Sequence, residues 1–141
     1  MKKILLILMI CVIAHSCTDS FSSSPKYSLE GEWGMVSGGI KDNGAFRSLE
    51  KTGEYYKTME FLPGGTFVEK CGSKTATGTY SIKSSQSISY SYTDFPKGGP
   101  EYFAVHKSGT WTYYFWDEDT FTLYDYASSS HEVSMTFSRI R

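Results

Sequence analysis

From residue 29 onward, apolar and polar side chains alternate repeatedly with a period of two, and no segment sustains a period of 3.6. Near the chain end, Val133, Met135 and Phe137 face one way while Glu132, Ser134, Thr136 and Ser138 face the other. Trp33 and Met35 alternate with Glu32 and Gly34, and Met59 and Phe61 with Thr58 and Glu60. Tyr80 and Ile82 alternate with Thr79, Ser81 and Lys83, and Ile88, Tyr90 and Tyr92 with Ser89 and Ser91. Leu62-Pro63-Gly64-Gly65-Thr66 reads as a turn, because Pro63 presets φ and the glycines accept positive φ. That turn returns Phe67 to the face of Phe61. Residues 111–116 and 121–126 flank an acidic turn, Asp117-Glu118-Asp119. The pattern predicts about eight short antiparallel strands, each with one apolar row. Such strands close most simply into an all-β, up-and-down barrel over residues 29–141, with an open sandwich as the alternative. A barrel of about eight strands is filled by its own side chains or holds one small ligand.

The inward rows supply the candidate ligand-binding residues Lys57, Met59, Phe61, Phe67, Glu69, Tyr80, Tyr90 and Tyr92, with Met35, Ile82, Ile88, Val133, Met135 and Phe137 on the same faces. If Phe61 pairs with Phe67, Glu69 lies opposite Met59 and one step from Lys57. A charged pair on an inward face is costly unless it meets water at a mouth or a polar ligand; the alternative places both at an exposed rim. Flexible methionines mixed with tyrosines suit an amphiphile, and equally suit a dry core. Aromatics also occupy both faces of 111–116. A two-residue loop would put Tyr114, Trp116, Phe121 and Leu123 on one face and Trp111, Tyr113, Tyr124 and Tyr126 on the other. One aromatic row then points outward and offers a surface for a protein or glycan, unless residues 101–107 cover it.

The N-terminal apolar run begins at Ile4, after Lys2 and Lys3, and ends near Ala14, short of the ~20 residues a membrane-spanning helix needs. It is followed by Ala14-His15-Ser16-Cys17. This segment resembles a bacterial lipoprotein signal peptide; an ordinary secretory signal is the other reading. The resemblance implies removal of residues 1–16, lipidation of Cys17, and a cell-envelope location, lipid-anchored in the outer membrane. Residues 17–28, Ser-rich with Pro25, read as a flexible tether. Cys11 then leaves with the signal and Cys17 is acylated. Cys71 remains as a lone thiol, so the fold must hold by its core. Removing Lys2 and Lys3 from fourteen basic residues leaves a net charge of −3 against fifteen acidic ones. With no basic patch, nucleic acid is not an expected partner.

Gly31-Glu32-Trp33 matches the Gly-x-Trp motif that opens the first strand of lipocalins. The stretches from Met59 to Phe67 and from Gly78 to Ile82 are similar to those of short lipocalin-like lipoproteins of the Bacteroidetes type. The resemblance implies that Trp33 closes the barrel floor and that Arg139, one step of two beyond Phe137, packs across it. No nucleophile elbow, zinc-protease helix or phosphate-binding loop is evident, and His106 and His131 lack metal-like spacing. The expectation is a non-enzymatic protein without cofactor or metal. It is a lipid-anchored barrel that binds a small apolar or amphiphilic ligand, or else a module that binds a protein or glycan through its outer aromatics.

Overall fold

A computed structural model describes residues 26–49, 56–94, 96 and 106–141. The expected signal peptide over 1–16, Cys17, the tether up to residue 25 and the segment 101–105 lie outside the described residues. Among the described residues nine strands follow one another: β1 Gly31–Asp42, β2 Ala45–Leu49, β3 Lys57–Leu62, β4 Thr66–Cys71, β5 Lys74–Ser84, β6 Ser87–Asp94, β7 Ser108–Asp117, β8 Thr120–Ser128 and β9 His131–Arg139. All neighbouring pairs are antiparallel, and β1 also pairs with β9, which closes the sheet. Eight strands, β1 and β3 to β9, form an up-and-down barrel without a free edge, so the sandwich alternative does not apply.

The ninth strand, β2, went unforeseen in the hydrophobic pattern. It shares one edge of β1 with β3: β3 pairs with Gly31 to Gly34, and β2 with Gly38 to Asp42. β2 carries no apolar row; four of its five residues are exposed and Leu49 alone is buried. Its signal is the two-residue turn Asn43-Gly44, whose φ values of 47° and 86° match the hairpin turn with the twist of its strands. Phe46, largely exposed, lies against Gly39, where a Cβ would come within 2.3 Å of its ring.

A bulge between Met35 and Ser37 resets the phase of β1. Trp33 and Met35 point inward, Val36 turns out, and Ile40 points inward again. Without that extra residue, Ile40 would face solvent. β5 outruns β4, whose pairing ends at Thr66 opposite Thr79. Beyond it Tyr80 is half-buried and Ile82 is 40 % exposed, so Ile82 does not line the interior as its alternation predicts. The period was right, but the barrel ends before the strand does.

The floor is built around Trp33, which has no solvent exposure. Its indole N–H donates to the Leu29 carbonyl at 2.7 Å. The Arg139 guanidinium lies 4.1 Å from the ring centre. Its N–H groups donate to the carbonyls of Glu30 (2.8 Å), Ser28 (3.0 Å) and Glu118 (3.2 Å), and Asp119 pairs with it at 3.4 Å. A planar fork with several donors can stack on the indole and satisfy these carbonyls at once, which a lysine cannot. Tyr27 packs edge-on against Phe115 at 5.6 Å, so the last residues of the expected tether already belong to the floor. Above the floor the interior is an aromatic plug. Phe121 meets Trp33 edge-on at 4.7 Å and stacks on Phe137 at 5.3 Å, Phe61 meets Tyr80 at 5.0 Å, and Phe67 meets Trp111 at 5.4 Å. Gly78 is required there: a Cβ would stand 2.5 Å from both the Phe67 ring and the Ser91 carbonyl.

Candidate functional site: a polar belt above the aromatic plug

Strand phase places a second kind of residue at the end opposite the floor. Lys57 is two residues before Met59 and four before Phe61, so it points inward with them at the start of β3. Glu69 follows Phe67 by two on β4, and Tyr92 follows Tyr90 by two on β6. Asp125 follows Phe121 and Leu123 on β8. Because the strands are antiparallel, these positions fall at one level of the barrel.

All four side chains are buried. Lys57 Nζ forms an ion pair with Glu69 Oε1, and the Tyr92 hydroxyl donates to Glu69 Oε2. Lys57 and Glu69 are at most 2 % exposed, which excludes the exposed-rim alternative. Asp125 accepts a hydrogen bond from the Trp111 side chain. Trp111 in turn stacks flat on Tyr90, with ring centres 3.9 Å apart and planes 13° from parallel. Burial raises the Asp125 carboxyl above its ordinary value; the Trp111 hydrogen bond and the charges of Lys57 and His106 oppose that rise, and Glu69 adds to it. The Tyr90 hydroxyl is pushed well above its ordinary value by burial, with Asp125 and Glu69 adding to it. Among the described residues no buried side-chain polar atom lacks a hydrogen-bond partner. Among the described residues the belt holds one ammonium and two carboxylates, walled by Tyr90, Tyr92 and Trp111.

Solvent contact distinguishes this end from the floor. Ile40, Tyr92, Asp125 and Val133 keep 5–8 % of their surface exposed, whereas Trp33, Tyr113, Phe121 and Phe137 keep none. Tyr113, deep in the plug, donates to the Ser84 carbonyl at 3.2 Å, and burial pushes its hydroxyl up to about 12.

The sequence-derived candidates thus divide by depth. Lys57, Glu69, Tyr90 and Tyr92 are brought together in the belt, and Met59 lies directly opposite Glu69 in register. Phe61 and Phe67 belong to the plug. Tyr80 lies at the floor end, where its hydroxyl donates to the Leu62 carbonyl at 3.4 Å, away from the belt. Trp111 and Asp125 were missed as belt residues. Their signal was the alternation Phe121-Leu123-Asp125, obscured by an incorrect register for the β7–β8 hairpin. A bulge between Phe115 and Asp117 pairs Phe115 with Phe121 and Tyr113 with Leu123. Phe121, Leu123, Trp111 and Tyr113 therefore all face inward, while Tyr124 and Tyr126 join Tyr114 and Trp116 outside. On this outer face Trp116 donates to the Thr122 hydroxyl at 2.9 Å, and Tyr124 and Tyr126 lie parallel at 6.2 Å. Cys71 is buried opposite Lys57 in register. Among the described residues no group of three His, Cys, Asp or Glu side chains could hold a metal ion.

No family model matches the chain, and no curated protein matches it. Among solved structures it is similar to a redesigned β-barrel, at 15 % identity and a TM-score of 0.43, covering 84 % of this chain and all of the other.

Proposed function

We propose that this chain is a lipid-anchored, lipocalin-like protein of the bacterial cell envelope. Its barrel takes up a small amphiphilic molecule at the end opposite the Trp33 floor. The observation that carries the reading is the buried belt of Lys57, Glu69, Tyr92 and Asp125 set above a dry aromatic plug. A barrel needing only stability gains little from such a belt. Exchanging a buried ion pair for packed apolar residues is often neutral or stabilising. A belt of hydrogen-bonding groups beneath a slightly wet rim suits a polar head, and Ile40, Leu123, Val133 and Met135 offer an apolar wall for the body of the ligand. The lipid anchor rests on the resemblance around Cys17, and no catalytic role is assigned.

Every described strand and the closure of Arg139 over Trp33 lie between Tyr27 and Arg141, so the chain from Thr18 onward carries the described barrel. Titrating this chain with the neutral, environment-sensitive probe N-phenylnaphthylamine tests the reading. Saturable binding near one-to-one is expected, and Met135→Trp, which fills the upper interior, should abolish it. Absence of saturable binding, or binding unchanged in Met135→Trp, would overturn the proposal. A second reading is favoured by the outer row Tyr114, Trp116, Tyr124 and Tyr126, which borders a polar recess of about 280 Å³ lined by Lys41, Tyr126 and Glu132. Parallel rings beside polar groups suit a glycan. Trp116→Ala separates the two: it should leave probe binding unchanged if the interior is the site.

A further inference from the structure

We infer that the head group accepted by the belt is cationic, an amine on an apolar body, and not the carboxylate of a fatty acid. This deepens the barrel-binding reading and rests on it. Among the described residues the belt has two buried carboxylates, Glu69 and Asp125, and one buried ammonium, Lys57. Lys57 is in contact with Glu69, and its charge also acts on Asp125; His106 acts on Asp125 as well but is exposed, so among the described residues a single buried cation serves both acids. Asp125 has a neutral donor, Trp111, and the described ion pairs do not include it. A second buried cation would balance the site. A third buried anion would face two carboxylates at close range in a medium that screens poorly.

The walls point the same way. Tyr90 lies flat against Trp111, and Tyr92 meets Tyr90 edge-on at 5.7 Å and Trp111 edge-on at 6.3 Å; Tyr92 donates to Glu69, Trp111 partners Asp125, and both acids act on Tyr90. Aromatic faces attract cations through their quadrupole and give no such attraction to a carboxylate. Tyr90 and Trp111 cover one face of each other, so it is Tyr92 and Asp125, both with slight solvent contact, that offer an entering ammonium a π contact and a charge. Asp125 also keeps slight solvent contact, so it is the acid that an entering head group meets before the deeper Glu69. Selectivity then comes from repulsion of the wrong charge as much as from attraction of the right one.

Decylamine, decanol and decanoate share one apolar chain and differ in head-group charge. Each is used to displace N-phenylnaphthylamine from the chain beginning at Thr18, at concentrations below micelle formation. Decylamine should displace at least tenfold more strongly than decanoate, with decanol between them. Asp125→Asn, which keeps the size of the side chain and an acceptor for Trp111, should weaken decylamine about tenfold relative to decanol. Decanoate binding as well as decylamine, or a decylamine affinity indifferent to Asp125→Asn, overturns the head-group assignment while binding itself stands. If none of the three displaces a bound probe, or no probe binds, the interior-site reading fails with it.

Discussion

Removing the Lys57 ammonium is the sharpest perturbation of the belt. In Lys57→Met the stem is roughly replaced while Glu69 and Asp125 lose their common counter-charge. A contact ion pair at an effective dielectric near 20 is worth about 4 kcal/mol of attraction. Desolvating each ion costs several kcal/mol, so the intact pair nearly cancels. Breaking it leaves the desolvation of Glu69 uncompensated, and the expected loss is about 3–5 kcal/mol. Neutralising the partner should restore most of that loss. Glu69→Gln keeps an acceptor for the Tyr92 hydroxyl, so the double variant Lys57→Met/Glu69→Gln should return to within about 2 kcal/mol of the parent. Urea unfolding of the parent, both single variants and the double variant measures this cycle, provided the denaturant slopes agree. A loss below about 1 kcal/mol for Lys57→Met, or additive losses in the double variant, would refute the view that a desolvated, mutually dependent pair occupies the interior.

Trp33→Ala should cost about 3–5 kcal/mol in the same assay, since it empties the floor beneath Phe121 and leaves Arg139 without its ring; a cost below 1 kcal/mol would contradict the floor described above. The folded-state pKa of Asp125 is raised above its ordinary value of 3.8, so the folded protein binds this proton more tightly than the unfolded chain does. The corresponding stability is present below that ordinary value and is lost as pH rises through the folded pKa. Thermal melts from acid to neutral pH should therefore show Asp125→Asn gaining on the parent as pH rises, and parallel curves would exclude a burial-raised Asp125. Cys17→Ala should move the exported protein from the membrane fraction to the soluble one, and fractionation with unchanged membrane association would remove the lipid anchor.

Much of the barrel is legible in the sequence because its physics is local. A half-buried strand must alternate, and turns such as Pro63-Gly64-Gly65 declare themselves through φ. The inward charges of Lys57 and Glu69 were legible for the same reason, since their phase is tied to Met59 and Phe67. What escaped depends on irregularity or on strand ends. β2 contributes almost nothing to the core, so its only mark is the Asn43-Gly44 turn. The bulge before Asp117 shifts the β7–β8 hairpin by one residue, and a shift of one exchanges its faces. That single residue decides whether Phe121 or Tyr124 is buried, and it hid Asp125 from the site. Ile82 obeys the alternation and is still exposed, because its strand extends past its neighbour. Whether a buried carboxylate is matched by a cation is a property of four strands meeting at one level, and no single strand carries that information.

The central claim is that the interior above the plug, and not the outer aromatic face, receives the ligand. Methyl and amide NMR of the chain beginning at Thr18, titrated with decylamine, tests this most directly. Shifts are expected at Ile40, Leu123, Val133, Met135 and the Trp111 indole, with Trp116 and the floor residues unmoved. Shifts centred on Tyr114, Trp116, Tyr124 and Tyr126, with the upper interior silent, would contradict it.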